Sequence, residues 1–299
     1  MQSFTHKLAT DGLYLENEPV RSWLNLKDIR AKYYWEPTSA YALSKFIEHN
    51  TDSYIILGNT SNILLDNFPG VMIRMNKLDQ VEISNNLVIA QAGVSNRALV
   101  SKCVNSGICG FEFIYTIPGT IGGSVYMNAG AHSGSIGNQV AWVEVIDCKT
   151  GKLLILDSTE ISFSYRNSSL QGRYIIVRVA LKGIQIDKFK SMQKIRSMEE
   201  YINNVQPRQN TLGSAFKNPD SIPAWKLLSQ LDPDDLTSEN VYFSELHRNF
   251  LINKGNATYR EVMDLINKVQ AKVKDIYDIS LELEIKTLPS QNNYMRWGG

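Results

Sequence analysis

The sequence predicts an α+β fold in two units, on three observations. Short β-like runs separated by turn residues dominate the chain to about residue 185. At Asp187 the hydrophobic period changes from alternation to threes and fours. Between Ile117 and Gly134 five glycines fall in a stretch with almost no charge, too rich in glycine for a core strand and too apolar for a linker. The first unit is expected over residues 1–186 and a smaller α/β unit over 187–299.

The elements follow in order. Tyr54–Gly58 and Val71–Met75 read as buried strands. Residues 81–93 alternate around Asn85 and Asn86, and residues 142–157 around Lys149–Gly151, so each is a hairpin. YIIVRVAL (174–181) closes the strand-rich region. Ser39 starts a helix with Leu43, Phe46 and Ile47 on one face. Ser95 starts another, with Leu99, Cys103 and Val104 inward and Gly107 as its stop. From Phe189 to Val205 a helix is predicted that could join the two units. Thr258 with Glu261 forms a capping box before Val262, Leu265, Ile266, Val269 and Val273. ISLELEIKTL (279–288) alternates as a strand does.

Composition narrows the function. Of 299 residues 43% are hydrophobic and 20% charged, the balance of a protein with a proper apolar core. A formal net charge of +1 gives no broad field to attract nucleic acid or anionic membrane. The three cysteines, Cys103, Cys109 and Cys148, show no CxxC spacing, and no histidine–cysteine pattern suggests a metal. With no basic-then-apolar leader and no apolar run approaching about 18 residues, the expectation is a cytoplasmic protein without membrane insertion.

Two loops carry candidate chemistry. A phosphate held by backbone N–H groups needs a loop free of bulky Cβ atoms. Ile117–Gly134 meets that need, yet it matches neither GxxxxGK[ST] nor GxGxxG. Taken alone it fits a buried turn between sheets equally well. LGNTSNILLD (57–66) also follows a strand with a small polar turn. Two such loops suggest a long ligand with several phosphates or hydroxyls.

The segments LGNTSNILLD, GFEFIYTIPGTIGGSVYMNAGA, FSYRNS, GSAFKNP, LHRNFLIN and LELEI occur in an order and spacing that resemble the UDP-N-acetylenolpyruvoylglucosamine reductase family, in its shorter form. The resemblance runs from about residue 20 to 288. It implies an FAD-binding module of the vanillyl-alcohol-oxidase (PCMH) type followed by a substrate domain. It also implies FAD and NADPH as cofactors, a UDP-sugar substrate, and reduction of UDP-N-acetylglucosamine enolpyruvate to UDP-N-acetylmuramate in peptidoglycan synthesis. The cofactor contacts it implies are Gly58, Asn59, Thr60, Ser61 and Asn62 in the first loop and Gly93 in AGVSNRALV. In the glycine loop they are Pro118, Gly119, Thr120, Gly122, Gly123, Asn128, Ala129 and Gly130.

Hydride addition to an enol ether needs a cation for the carboxylate, a group for the developing dianion and a proton donor. The resemblance places these at Arg166, Glu284 and Ser214. A serine is a poor acid, so Ser214 should belong to a hydrogen-bonded network. Glu282 lies two residues from Glu284 and so shares its strand face, and only the motif separates them. Lys217, Asn218, His247 and Asn249 lie in matching segments that bind substrate or pack its domain. Departures from the family pattern are Asn59 and Thr60 where further glycines are usual, His132 and Ser133 after NAGA, and a passage 224–247 without its usual glycines. Two other readings remain open: an oxidase of alcohols or sugars on the same module, and a silent homologue that only binds.

Overall fold

The computed structural model describes residues 11–20, 22, 24–27, 29–131, 134–208, 210–220 and 222–288. Strands of three or more residues are numbered below. The first sheet is built from β1 (Gly12–Pro19), β2 (Arg30–Pro37), β3 (Tyr54–Leu57) and β5 (Phe68–Arg74), with β4 (Ile63–Leu65) outside it. Its order is β1-β2-β5-β3; β2, β5 and β3 run parallel and β1 is antiparallel to β2. Helix α1 (Ala40–His49) makes the β2–β3 crossover, its N-terminus capped by the Ser39 hydroxyl, which accepts from the Ala42 N–H at 3.1 Å. Leu43, Phe46 and Ile47 are buried on it as expected, and Phe46 packs on the fully buried Trp35.

A second, all-antiparallel sheet has the order β9-β8-β10-β7-β6. It comprises β6 (Val81–Ser84), β7 (Leu87–Gln91), β8 (Val140–Asp147), β9 (Leu153–Asp157) and β10 (Tyr174–Lys182). Both predicted hairpins are present; Asn85 and Gly151 take the positive φ that their turns require. Helix α2 (Asn96–Asn105), capped by Ser95, and the short α3 (Ile121–Tyr126), capped by Thr120, complete this region.

The chain continues through α4 (Lys188–Val205), β11 (Thr211–Ser214), α5 (Ala224–Leu228), β12 (Val241–Phe243), β13 (Phe250–Asn253), α6 (Tyr259–Tyr277) and β14 (Lys286–Leu288). Strands β11-β13-β12 form an antiparallel sheet. Helix α6 buries all five predicted residues, from Val262 to Val273, each worth about 1.5–3 kcal/mol of transfer free energy. Its Thr258 cap accepts from the Glu261 N–H, while the Glu261 carboxylate accepts from Ser238 and Asn240.

There are two apolar cores, and the first sheet lies between them. Trp35, Val71 and Ile73 face α1, α2 and the second sheet. Tyr34, Ile55, Leu57 and Met72 face α6 and the C-terminal sheet. Helix α4 is tied to the first region by the buried Glu112, which accepts from the Ser191 hydroxyl at 2.7 Å, and by an Arg97–Glu199 ion pair at 2.6 Å. Its Phe189, expected on the apolar face, is 80% exposed. That residue lies in the first turn, next to the start of α4, where the inward contact is made by Ser191 instead.

One expected element differs. The strand predicted over 279–288 is reduced to β14, preceded by a single bridge between Phe216 and Leu283. The Ala215 carbonyl accepts from the N–H groups of both Glu284 (2.9 Å) and Ile285 (3.5 Å), so the chain bulges there and the period-two alternation breaks. Beyond the bulge β14 turns to pair in parallel with β4, directly after the first loop.

Candidate active site

The first loop, residues 58–62, follows β3 at the edge where the chain leaves the sheet. Thr60 takes φ +57, a left-handed conformation rare for a β-branched residue. The backbone N–H groups of Asn59, Ser61 and Asn62 find no acceptor among the described residues. A left-handed residue flanked by open N–H groups is the geometry of an anion-binding nest. Side chains lock the loop against its neighbours: the Ser61 hydroxyl donates to the Pro118 carbonyl at 2.8 Å, and Asn76 Nδ2 donates to Asn59 Oδ1 at 2.9 Å.

The glycine loop lies beside it. Gly119 has φ +140, but most other glycines answer to the protein's own packing. A Cβ on Gly122 would lie 2.7 Å from the Ala92 Cβ, one on Gly134 2.8 Å from the Phe113 ring, and one on Gly130 2.5 Å from the Gly134 carbonyl. The Ile121 and Gly122 N–H groups are engaged by the Val94 and Ala92 carbonyls. Gly123 is the exception, since a Cβ there meets nothing nearer than the Thr120 hydroxyl at 3.5 Å. Gly93, in the third turn, is fixed by the Met75 carbonyl, 2.0 Å from where its Cβ would be.

The three segments therefore converge, with Asn96 as a buried clamp missed in the sequence: Nδ2 donates to the Ile117 carbonyl at 3.0 Å and Oδ1 accepts from Ser124 at 2.9 Å. Asn76 Oδ1 and Thr116 Oγ1, both beside these loops, are buried without a partner among the described residues. Open N–H groups, an open glycine face and unanswered buried acceptors together fit a cofactor with a diphosphate and several hydrogen-bonding groups. Gly58 to Asn62, Gly119, Thr120 and Gly123 would hold it.

Arg166 and Glu284 meet. Arg166 Nε donates to Glu284 Oε1 at 2.6 Å, and the two side chains are 25% and 13% exposed. Arg166 sits at the tip of a hairpin in which Ser164 pairs with Asn167, and it takes φ +53. A non-glycine residue there costs on the order of 1 kcal/mol, which the hairpin's ties to the end of α3 sustain. Those ties are Ser168 Oγ and Gln171 Nε2 to the Tyr126 carbonyl, and Asn128 Nδ2 to the Ser164 carbonyl. Only one of the five N–H donors of the guanidinium is engaged by Glu284.

The bulge at Ala215 separates the two acids that the strand reading left equivalent. Glu282 is 74% exposed and pairs with Lys217 at 3.0 Å, whereas Glu284 turns inward to Arg166. Ser214 ends β11, one residue before the carbonyl that receives Glu284. Its hydroxyl has no hydrogen-bond partner among the described residues, so none of these forms the expected network.

Asn218 and Asn249 have structural partners, whereas His247 Nδ1 is buried with none among the described residues. Asn218 Oδ1 accepts from the Ala224 N–H at the start of α5. Asn249 is buried and bonds both the N–H and the carbonyl of Phe216, holding the Ser214 strand. His247 packs edge-on against Phe250, and burial pushes its imidazole below the ordinary 6.5, favouring the neutral ring. Lys286, missed in the sequence, keeps its residue exposed on the surface. Its ammonium is nevertheless pushed below 10.5, first by burial and then by Lys217. His132 and Ser133 lie outside the described residues. Among those described, no group of His, Cys, Asp and Glu could hold a metal ion, and no helix is long and apolar enough to cross a membrane.

Comparison with known proteins agrees in both halves. Residues 31–157 match the FAD binding domain family, and residues 206–288 match the family described as UDP-N-acetylenolpyruvoylglucosamine reductase, C-terminal domain. A curated reductase of that name from Carboxydothermus hydrogenoformans is 36% identical over 92% of this chain and 93% of its own. One from Clostridium kluyveri is 35% identical over 79% of this chain and 78% of its own. The crystal structure of the Thermus caldophilus reductase superposes with a TM-score of 0.78 at 26% identity, covering 93% of this chain and 99% of that one.

Proposed function

Because the chain belongs to the UDP-N-acetylenolpyruvoylglucosamine reductase family, a family of FAD-binding oxidoreductases, we propose that it reduces UDP-N-acetylglucosamine enolpyruvate to UDP-N-acetylmuramate at the expense of NADPH, in the cytoplasm, for peptidoglycan precursor synthesis. The observation that carries this reading furthest is the 2.6 Å Arg166–Glu284 pair beside Ser214, three residues drawn from segments far apart in the chain. On this reading the cofactor unit ends near residue 186 and the substrate unit begins with α4.

Bound FAD supplies the hydride relay from NADPH to the enolpyruvyl carbon. The chain's own residues supply the rest. Arg166 keeps free N–H donors beside its bond to Glu284 and takes the substrate carboxylate through them, where the charge of the dianion collects. Glu284, largely withdrawn from water, accepts from the guanidinium Nε and holds it in place beside the developing dianion. Ser214, whose hydroxyl is not engaged by any described residue, delivers the proton to the second carbon. Lys217 and Lys286 provide positive charge near this cluster that suits the diphosphate of the UDP-sugar.

The test is the visible flavin spectrum under anaerobic conditions. NADPH should bleach it and the enolpyruvyl sugar should restore it. Bleaching without recovery would keep the cofactor and refute the substrate. Within that assay, Ser214→Ala and Glu284→Gln should slow recovery about a hundredfold with bleaching nearly intact. Glu282→Gln, on the exposed acid, should leave both within about twofold. The reverse order of the two glutamates would move the role to Glu282.

A further inference from the structure

We infer that Asn62 and Asn128, both expected to touch the cofactor, are positioning residues that set the Arg166–Glu284 pair through their side-chain amides. What the pair does rests on the reductase reading above; how it is held rests on the contacts that follow. Arg166 and Glu284 are 118 residues apart and lie on segments with little regular structure of their own. One is the tip of a hairpin with two paired residues per strand, and the other is a bend between a single bridge and β14. Neither has a ladder long enough to fix a side chain to the roughly 0.5 Å that such a site needs.

The two asparagines supply the missing restraint. Asn128 is 7% exposed and takes φ +45, which asparagine tolerates better than most residues. Its Nδ2 donates to the Ser164 carbonyl at 2.8 Å and its Oδ1 accepts from the Gly137 N–H at 3.0 Å, so the Arg166 hairpin is pinned to the end of the glycine loop. Asn62 does the same for the acid. Its Nδ2 donates to the Glu284 carbonyl at 3.2 Å, and its own carbonyl accepts from the Lys286 N–H at 2.9 Å. A neutral amide suits both places, because it donates to a carbonyl without adding charge next to an ion pair. Each loop that receives the cofactor thus also grips one member of the pair, and the two functions share a single hydrogen-bonded unit.

The experiment compares wild-type holoenzyme with Asn62→Ala and with Asn128→Gly, the glycine accommodating φ +45. Three quantities are read: flavin content, the rates of the two half-reactions, and amide hydrogen exchange. Measured on the flavin-loaded fraction, reoxidation by the enolpyruvyl sugar should slow about fivefold more than reduction by NADPH in each variant, the worth of one ordinary hydrogen bond. Exchange should rise about fivefold at the Glu284 and Lys286 amides in Asn62→Ala, and across residues 163–168 in Asn128→Gly. Asn62→Asp keeps the shape without the donor and adds a charge, so it should slow reoxidation at least as much as Asn62→Ala. An equal fall in both half-reactions of the flavin-loaded protein, unchanged exchange, or wild-type behaviour of Asn62→Asp would each overturn the inference. Should wild-type holoenzyme itself fail to be reoxidised by the sugar, the reductase reading falls, and the exchange comparison still decides whether the asparagines hold the pair.

Discussion

The two loops of the candidate cofactor site have opposite designs. Residues 58–62 contain one glycine, yet around a left-handed Thr60 they present N–H groups that no described residue accepts. Residues 117–134 contain five glycines, yet Gly122, Gly130 and Gly134 are required by neighbours within the chain, and two N–H groups of α3 are engaged by the 92–94 turn. Glycine density therefore marks where the backbone packs most closely on itself. The ligand-facing surface is marked by unanswered donors, and these are invisible in a composition.

Substitution at adjacent glycines would break or sharpen this contrast most. Gly122→Ala puts a methyl against Ala92, partly against its backbone, and should destabilise the fold by about 2 kcal/mol, read as a lower denaturation midpoint of both apo- and holoprotein. Gly123→Ala, one residue on, meets no such wall. Apoprotein stability should rise by about 0.5 kcal/mol, since alanine is the better helix residue, while flavin retention on dilution falls at least about tenfold. If Gly123→Ala retained flavin as wild type does, the open face would not be the cofactor side. If both variants behaved alike, the distinction between packing and ligand glycines would fail.

The same distinction explains what the sequence made legible. Hairpins at Asn85–Asn86 and Lys149–Gly151 and the helix starts at Ser39, Ser95 and Thr258 are local devices, decided by residues within a few positions, and all stand in the structure. The inward turn of Glu284 is decided by the Ala215 carbonyl, about seventy positions upstream, which accepts two N–H groups and breaks the strand. No period within 279–288 carries that information. The braces from Asn62 and Asn128 escaped for the same reason: asparagine in a loop reads as a turn former until its distant partner is known. The motif resemblance singled out Glu284, and the contact with Arg166 that sets it apart from Glu282 is one that periodicity does not carry.

The smallest effect probes the first loop itself. Thr60 departs from the glycine that is usual in the resembling family, and its φ of +57 shows what glycine would do there. A β-branched side chain in the left-handed region is strained by roughly 1–2 kcal/mol. Its hydroxyl recovers part of this by donating to the Asn59 carbonyl at 2.7 Å. Glycine would remove the strain but also that bond, and it would add backbone freedom to the unfolded chain. The balance predicts that Thr60→Gly stabilises by only about 0.5 kcal/mol, measured as a shift in the urea midpoint at unchanged slope. Flavin affinity should be unchanged, because the open N–H groups at Asn59, Ser61 and Asn62 depend on the sign of φ at residue 60 and not on its side chain. A marked loss of flavin in Thr60→Gly would instead make the threonine hydroxyl a ligand group, and the two loops would then differ in which atoms they offer as well as in how they are packed.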